Sequence, residues 1–344
     1  MDNDLFAEAA RNVLADQCSP DVVRAIESGG RDARATKALW AQLEDTGLVN
    51  ALLPEDNGGS GLSLSQVFGV LEQCGAHALP LPLGETMVAR AVLAEGGVVC
   101  PAGIIALGRG ERTPNGSLRC ALVRSGDVAN GVLVQAGAQW FMLSVDSAET
   151  AAHALTLDAS LIWSQHAVLA ASVVPVDRAL DVRVLQAAVV APQMAGALKA
   201  VFDRTLQYAN EREQFGRPIG KFQAIQHQLA VMSEHVFAAR MAAQLGCSGG
   251  QAAGVTPDRL RVATAKARCS EAALAVSEFA HAIHGAIGFT EEYDLQLFTR
   301  RLHAWRQTAG SEAYWHGVAG EVVLQARDHT LDLVRRITDV ESVA

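Results

Sequence analysis

Between Tyr208 and Met232 the chain reads YANEREQFGRPIGKFQAIQHQLAVM, and Arg212, Glu213, Gln214, Phe215 and Gly216 fall together in one turn. A surface turn needs only glycine, asparagine or proline. An arginine fork beside an amide and a phenyl ring is equipment for holding something flat and anionic. A second segment, HAIHGAIGF from His281 to Phe289, carries Gly285 and Gly288, where backbone can approach a ligand with no Cβ in the way. Other groupings fail on their chemistry. His281 and His284 stand at i, i+3 spacing, but no nearby cysteine or carboxylate pair completes a metal site. Glu291-Glu292 reads as a solvated or capping pair. The NGGSG of Asn57 to Gly61 is followed by no Gly-Lys-Ser/Thr, so it is not a P-loop. Ser63 and Ser65 lack the flanks of a nucleophile elbow.

The elements that must position these residues fall into three zones: residues 1–97, 98–182 and 183–344. In the first, LFAEAARNVLAD, ATKALWAQLEDTGL, LSLSQVFGVLEQCGAHA and GETMVARAVLAEGG have apolar residues at helical spacing. They are interrupted by a glycine-rich loop at Leu53–Ser65, where Ser63 or Ser65 is an N-cap for the next helix. In the second, GIIALG, LRCALVRS, HALTLDA and AVLAASVVP are short strand-like runs between turn residues. There GVLVQAGAQWFMLSV reads as a hairpin around Ala136-Gly137-Ala138. In the third, a long helix ends near Glu213. Two more follow, one from Ile219 and one with Pro257 near its start, and a final helical stretch begins at Leu297; short connections imply an antiparallel four-helix bundle. The expected fold is mainly α with a small β insert.

Half of the 344 residues are hydrophobic and 19% are charged, enough to bury a large core. The net charge of −9 argues against a general nucleic-acid surface. A start without a basic and then apolar leader predicts no signal peptide, and the lack of a run of ~18 apolar residues predicts no membrane span. The six cysteines form no CxxC pair and read as reduced, mostly buried thiols of a cytoplasmic protein.

With helices, a small β zone and a bundle in this order, the chain resembles the acyl-CoA dehydrogenase family. LLPEDNGGSGLSLS, ANEREQFGRPIGKFQAIQHQLAVM and HAIHGAIGFTEEYDLQLFTRR carry the resemblance. It implies FAD, held at its ADP half by Arg212, Gln214, Phe215, Gly285 and Gly288 across a subunit interface. It also implies an acyl-CoA substrate and an electron-transfer flavoprotein or similar acceptor.

Three departures qualify that. Ala282 and Ala286 stand where the family has a glutamine and the second of two glycines, with His284 as a replacement donor. Between Val98 and Val182 the family's Thr-Glu…Gly-Ser and Trp-Ile-Thr/Ser segments are missing, and Trp140 reads as core. The family's dehydrogenation needs a carboxylate to take the α-proton while the β-hydride goes to flavin. The position of that base falls on Thr308 or Ala309, and the alternative family position on Gln186. Glu312 lies three or four residues beyond and reads as an exposed helix glutamate. The pattern is similar to the degenerate subunit of heteromeric bacterial enzymes of steroid side-chain breakdown, which implies an α2β2 assembly with a homologous, base-bearing subunit. Three alternatives stay open: an active homo-oligomer using Glu312, a flavin-free scaffold, and a flavoenzyme of this fold oxidising nitroalkanes or heteroatoms.

Overall fold

In the computed structural model, residues 2–153, 157–176, 179–249, 255–326 and 329–339 are described. The N-terminal helices are α1 (Asp2–Gln17), α2 (Pro20–Gly29), α3 (Arg34–Asp45), α4 (Phe68–Ala76) and α5 (Leu83–Glu95). The strands that follow are β1 (Ile105–Arg109), β2 (Glu111–Arg112), β3 (Leu118–Val123), β4 (Gly131–Ala136), β5 (Gln139–Ser144), β6 (Ala148–Ala152) and β7 (Ala159–Trp163). A short helix α6 (Gln165–Ala170) and strand β8 (Ser172–Val174) close the zone. The long helix α7 (Val182–Glu211) leads through a ribbon of β9 (Glu213–Gln214) and β10 (Arg217–Pro218) into α8 (Gln223–Cys247). The chain continues with α9 (Arg259–His284), α10 (Leu295–Gln307), α11 (Glu312–Gln325) and α12 (Thr330–Thr338). The fold is thus mainly helical with a small β region between two helical portions.

Two compact units divide these elements: residues 1–67, 79–189 and 250–256 in one, 68–78, 190–249 and 257–344 in the other. Helix α4 therefore belongs with the bundle rather than with the helices on either side of it. In the first unit, strands run in the order β1-β4-β5-β8 in one sheet and β2-β3-β7-β6 in the other. Only β1 and β4 are parallel among these pairs. The hairpin at Gly137-Ala138 forms as the sequence predicts, with Gly137 at φ 61° in the first turn position. The run AVLAASVVP is not one strand. Ser164 caps Ala167 N at 3.3 Å, which starts α6 before β8 begins. HALTLDA lies in part outside the described residues, and β7 starts at its last residue, Ala159.

Helix α5 is buried from Leu83 to Leu93 on every face, including two charges. Both charges are paired, as burial demands. Glu85 takes Arg124 at 2.5 Å; Arg90 donates to Glu44 at 2.9 Å and to Asn50 at 2.7 Å. Ahead of α4, Gln66 Oε1 accepts from the Ser63 N–H (2.8 Å) and hydroxyl (3.1 Å), half of a capping box; the helix itself begins only at Phe68.

In the second unit, α4 and α7 meet at two glycines. A Cβ on Gly75 would lie 1.7 Å from the Gln193 carbonyl oxygen, and one on Gly196 would lie 1.9 Å from that of Glu72. Arg240 of α8 then clamps α4 by donating from Nε to Glu72 at 2.6 Å, with its guanidinium over the Phe68 ring. Helix α9 packs against α8, α10 and α11. It starts one residue after its cap, Asp258, which accepts from Arg261 N at 2.8 Å. Against the expectation of no spanning segment, α7 and Arg259–Phe289 are long and apolar enough to cross a membrane. The most apolar window of α7 is 83% buried inside the protein, so core packing accounts for its composition.

Candidate functional site

The turn after α7 is a two-stranded ribbon. Arg212 N still donates to Tyr208 O at 2.8 Å, and Ile219 N returns to Arg212 O at 2.8 Å. Phe215 and Gly216 occupy the turn with φ of 51° and 77°. Positive φ at both central positions is the tight hairpin geometry that usually selects Asn-Gly. A phenylalanine there is held against its backbone preference at about 1–2 kcal/mol. Its ring is 93% exposed, edge-on to Phe222 at 6.2 Å, and Arg217 covers Phe222 at 4.2 Å. Arg212 and Gln214 are exposed too. Neither side chain has a hydrogen-bond or ion-pair partner among the described residues. An unspent guanidinium, an amide and a preset aromatic face thus share one protruding ribbon.

The second segment behaves differently. Helix α9 ends at His284, and Gly285 turns the chain with φ 64°, exposed and with no atom within 4 Å of where a Cβ would stand. His284 does not supply the expected replacement donor at the surface. It is 4% exposed and stacked on Tyr208 with ring centroids 4.4 Å apart. Nδ1 lies 2.8 Å from the Ala280 carbonyl, which can only accept, so Nδ1 carries the proton. Nε2 then accepts from the Tyr293 hydroxyl at 3.3 Å. Burial lowers its pKa and keeps the ring neutral. Gly288 is buried and closely packed instead. A Cβ there would come within 3.1 Å of His284 Cβ and 3.2 Å of His281 Nδ1. Tyr208, which closes this stack from α7, carried no signal in the sequence beyond its place in the same stretch.

At the expected base position, Thr308 Oγ1 donates back to Ala304 O at 3.1 Å, and Ala309 and Gly310 turn the chain with φ of 61° and 112°. The turn is pinned from beneath by Lys266, which is fully buried. Its ammonium donates to Arg306 O (2.9 Å), Gly310 O (3.0 Å) and Ser270 Oγ (2.9 Å). Burial pushes its pKa down to about 8. Lys266 was not singled out in the sequence, where one lysine on an alanine-rich helix looks like a surface charge. Glu312 is not the exposed helix glutamate expected. It is partly buried, and both its oxygens take donors from Arg306, one of them at 3.0 Å from Nε. That pairing lowers its pKa, away from the value a proton acceptor needs near neutral pH. Gln186, at the alternative position, donates from Nε2 to Leu107 O at 2.9 Å. Trp140 is core, 2% exposed, and Trp163 is fully buried with Nε1 on Ser144 O at 2.8 Å.

Two family models match the chain: the acyl-CoA dehydrogenase N-terminal domain over residues 1–98 and the C-terminal domain over residues 184–324. Acyl-CoA dehydrogenase IpdE2 of Mycolicibacterium smegmatis is 31% identical, over 90% of this chain and 94% of that protein. A variant of the Tcur3481-Tcur3483 steroid ACAD superposes with a TM-score of 0.78 at 24% identity, covering 94% of this chain and 98% of that one. The ChsE4-ChsE5 complex of Mycobacterium tuberculosis gives 0.79 at 19% identity, covering 95% and 98%.

Proposed function

The chain belongs to the acyl-CoA dehydrogenase family, and from that premise we propose that it is the subunit without a base in a heteromeric, FAD-dependent acyl-CoA dehydrogenase. In this reading it completes the FAD site of an unlike family subunit that bears the base. The observation that carries the proposal is the turn at Thr308–Ser311. No carboxylate stands in it, and the next one along, Glu312, is locked to Arg306.

The residues present fit one end of the cofactor. Arg212 and Gln214 have no partner of their own to give up, and Phe215 offers an exposed ring face, as a diphosphate joined to a flat base requires. The β region offers its tryptophans to its own core, so no ring clasp is attributed to this chain. FAD, when bound, supplies the acceptor for the hydride that leaves the acyl β-carbon. This chain's part is to bind and orient the diphosphate end through Arg212 and Gln214, while the α-proton is taken by a carboxylate of the unlike subunit. An acyl group of steroid size is proposed as the substrate, supported by likeness to a steroid ACAD. A two-chain partnership is supported by likeness to the ChsE4-ChsE5 complex.

The test is co-purification with an unlike family subunit, followed by a flavin-to-protein ratio. About one FAD per two chains is expected, with loss of flavin on Arg212→Ala in the co-expressed complex. Unchanged flavin content in that variant would reduce the chain to a scaffold. A yellow, active protein purified alone would instead make it a homo-oligomeric enzyme with a displaced base.

A further inference from the structure

Helix α7 ends in a turn with little to hold it. From Leu206 to Arg212 only Tyr208 and Ala209 are not exposed. An alanine methyl anchors little, and helix ends fray. Tyr208 is therefore the one large side chain that ties this turn to the bundle. The ribbon hangs from the same turn: Arg212 N donates to Tyr208 O, and Arg212 O accepts from Ile219 N, both at 2.8 Å. On its other side Tyr208 meets the end of α9. Its ring lies on the His284 imidazole with centroids 4.4 Å apart and planes 25° apart, and its hydroxyl donates to the His284 carbonyl at 3.4 Å. His284 is fixed in turn at both ring nitrogens, by Ala280 O and by the hydroxyl of Tyr293, whose ring stands edge-on to Tyr208 at 6.2 Å. The next residue, Gly285, opens the exposed turn after α9. Three rings thus join the base of the Arg212 ribbon to the Gly285 turn.

We propose that Tyr208 and His284 are positioning residues for cofactor binding, and that their stack presets the Arg212 ribbon relative to the Gly285 turn before the diphosphate arrives. The inference rests on the reading of Arg212 above and adds to it the residues that hold Arg212 in place. His284 is 4% exposed, so it acts through the main chain it holds and not by contact with a ligand. An exposed arginine on a fraying turn would have to be ordered by the ligand itself, and that ordering lowers affinity. A turn already anchored by a stacked ring loses less to it.

The experiment titrates FAD into the flavin-depleted, co-expressed complex as wild type, Tyr208→Leu, Tyr208→Phe, Arg212→Ala and the double variant Tyr208→Leu/Arg212→Ala. Tyr208→Leu should weaken binding by about tenfold, and Tyr208→Phe, which keeps the stack, by no more than about threefold. In the double variant Tyr208→Leu should add nothing to the loss caused by Arg212→Ala, because a residue that acts through another is silent once that one is gone. A merely structural role would give the same further loss in both backgrounds, and that additivity overturns the proposal. An unchanged dissociation constant in Tyr208→Leu overturns it too. Should Tyr208→Leu not assemble, His284→Leu removes the stack from the other side and decides with the same expectations. If Arg212→Ala binds FAD as wild type does, the reading of Arg212 falls and this proposal with it. A loss in Arg212→Ala with none in Tyr208→Leu sinks the positioning role alone.

Discussion

Alkaline pH should stabilise this protein over a narrow window, and Lys266 is the reason. Its ammonium is fully buried and its pKa is pushed down from 10.5 to about 8. Between those values the unfolded chain keeps a proton that the folded chain has released. Unfolding then takes up a proton, and stability rises with pH. At about 1.4 kcal/mol per unit, the whole window is worth about 3 kcal/mol at most. Three thiols oppose it from higher pH. Burial pushes Cys120, Cys247 and Cys269 up from 9.0 to about 12, so above pH 9 the unfolded chain loses protons that the folded chain retains. That removes up to about 4 kcal/mol per unit. Stability should therefore peak between about pH 8 and 9 and fall steeply beyond.

Lys266→Met separates the two effects, since it keeps the length of the side chain and removes the titrating group. The assay is urea unfolding of wild type and variant across the alkaline range, taking the difference in unfolding free energy at each pH. The thiols are common to both proteins and cancel. The difference should tilt in favour of wild type by about 1 kcal/mol per unit from about pH 8 upward. A difference that stays flat through that range would falsify the linkage and leave Lys266 only its hydrogen bonds to the Arg306 and Gly310 carbonyls.

Phe215→Asn should stabilise the isolated chain by about 1 kcal/mol, since Asn-Gly accepts the left-handed turn that phenylalanine resists. In the co-expressed complex the same change should lower flavin retention, read from the absorbance ratio of the purified protein. Gly196→Ala places a Cβ against the Glu72 carbonyl and should destabilise by about 3 kcal/mol or more, seen in thermal melts or as loss of soluble protein. On the acid side the linkage has the same sign as for Lys266: burial holds His77, His281 and His284 below the usual imidazole value, so the unfolded chain binds protons first as the pH falls. Stability should decline below about pH 6.5, and the decline should be shallower in His284→Phe when urea midpoints are followed down the acid range.

Much of this was legible because it rests on local rules. Helical spacing marked α1, α3, α4, α5 and the bundle helices, and a lone glycine marked the hairpin at Gly137. Helix α2 was missed although its signals were present: Ser19 caps Val22 N, and Pro20 takes the first helical position. What local rules could not reveal were pairings across the chain. Gly75 and Gly196 read as ordinary small residues until α4 and α7 are seen to meet at them. Arg212, Gln214 and Phe215, adjacent in the sequence, do lie together on one exposed ribbon. His284 was misplaced because its spacing shows nothing of the inward turn that puts its ring on Tyr208.

The same distinction bears on what holds the turn at Thr308–Ser311, which carries no carboxylate. The turn bearing Ala309 is held through main-chain carbonyls, those of Arg306 and Gly310, by Lys266, and through the Arg306–Glu312 pair on its other side. None of these contacts involves the side chain at 309. The side chain at 309 therefore takes no part in holding the turn, apart from the left-handed φ that any residue other than glycine must bear there, whereas the Thr308 hydroxyl does, by donating to the Ala304 carbonyl. An intact turn is then no sign of an active one: from Thr308 to Ser311 it carries no carboxylate, and Glu312, the next residue, is committed to Arg306.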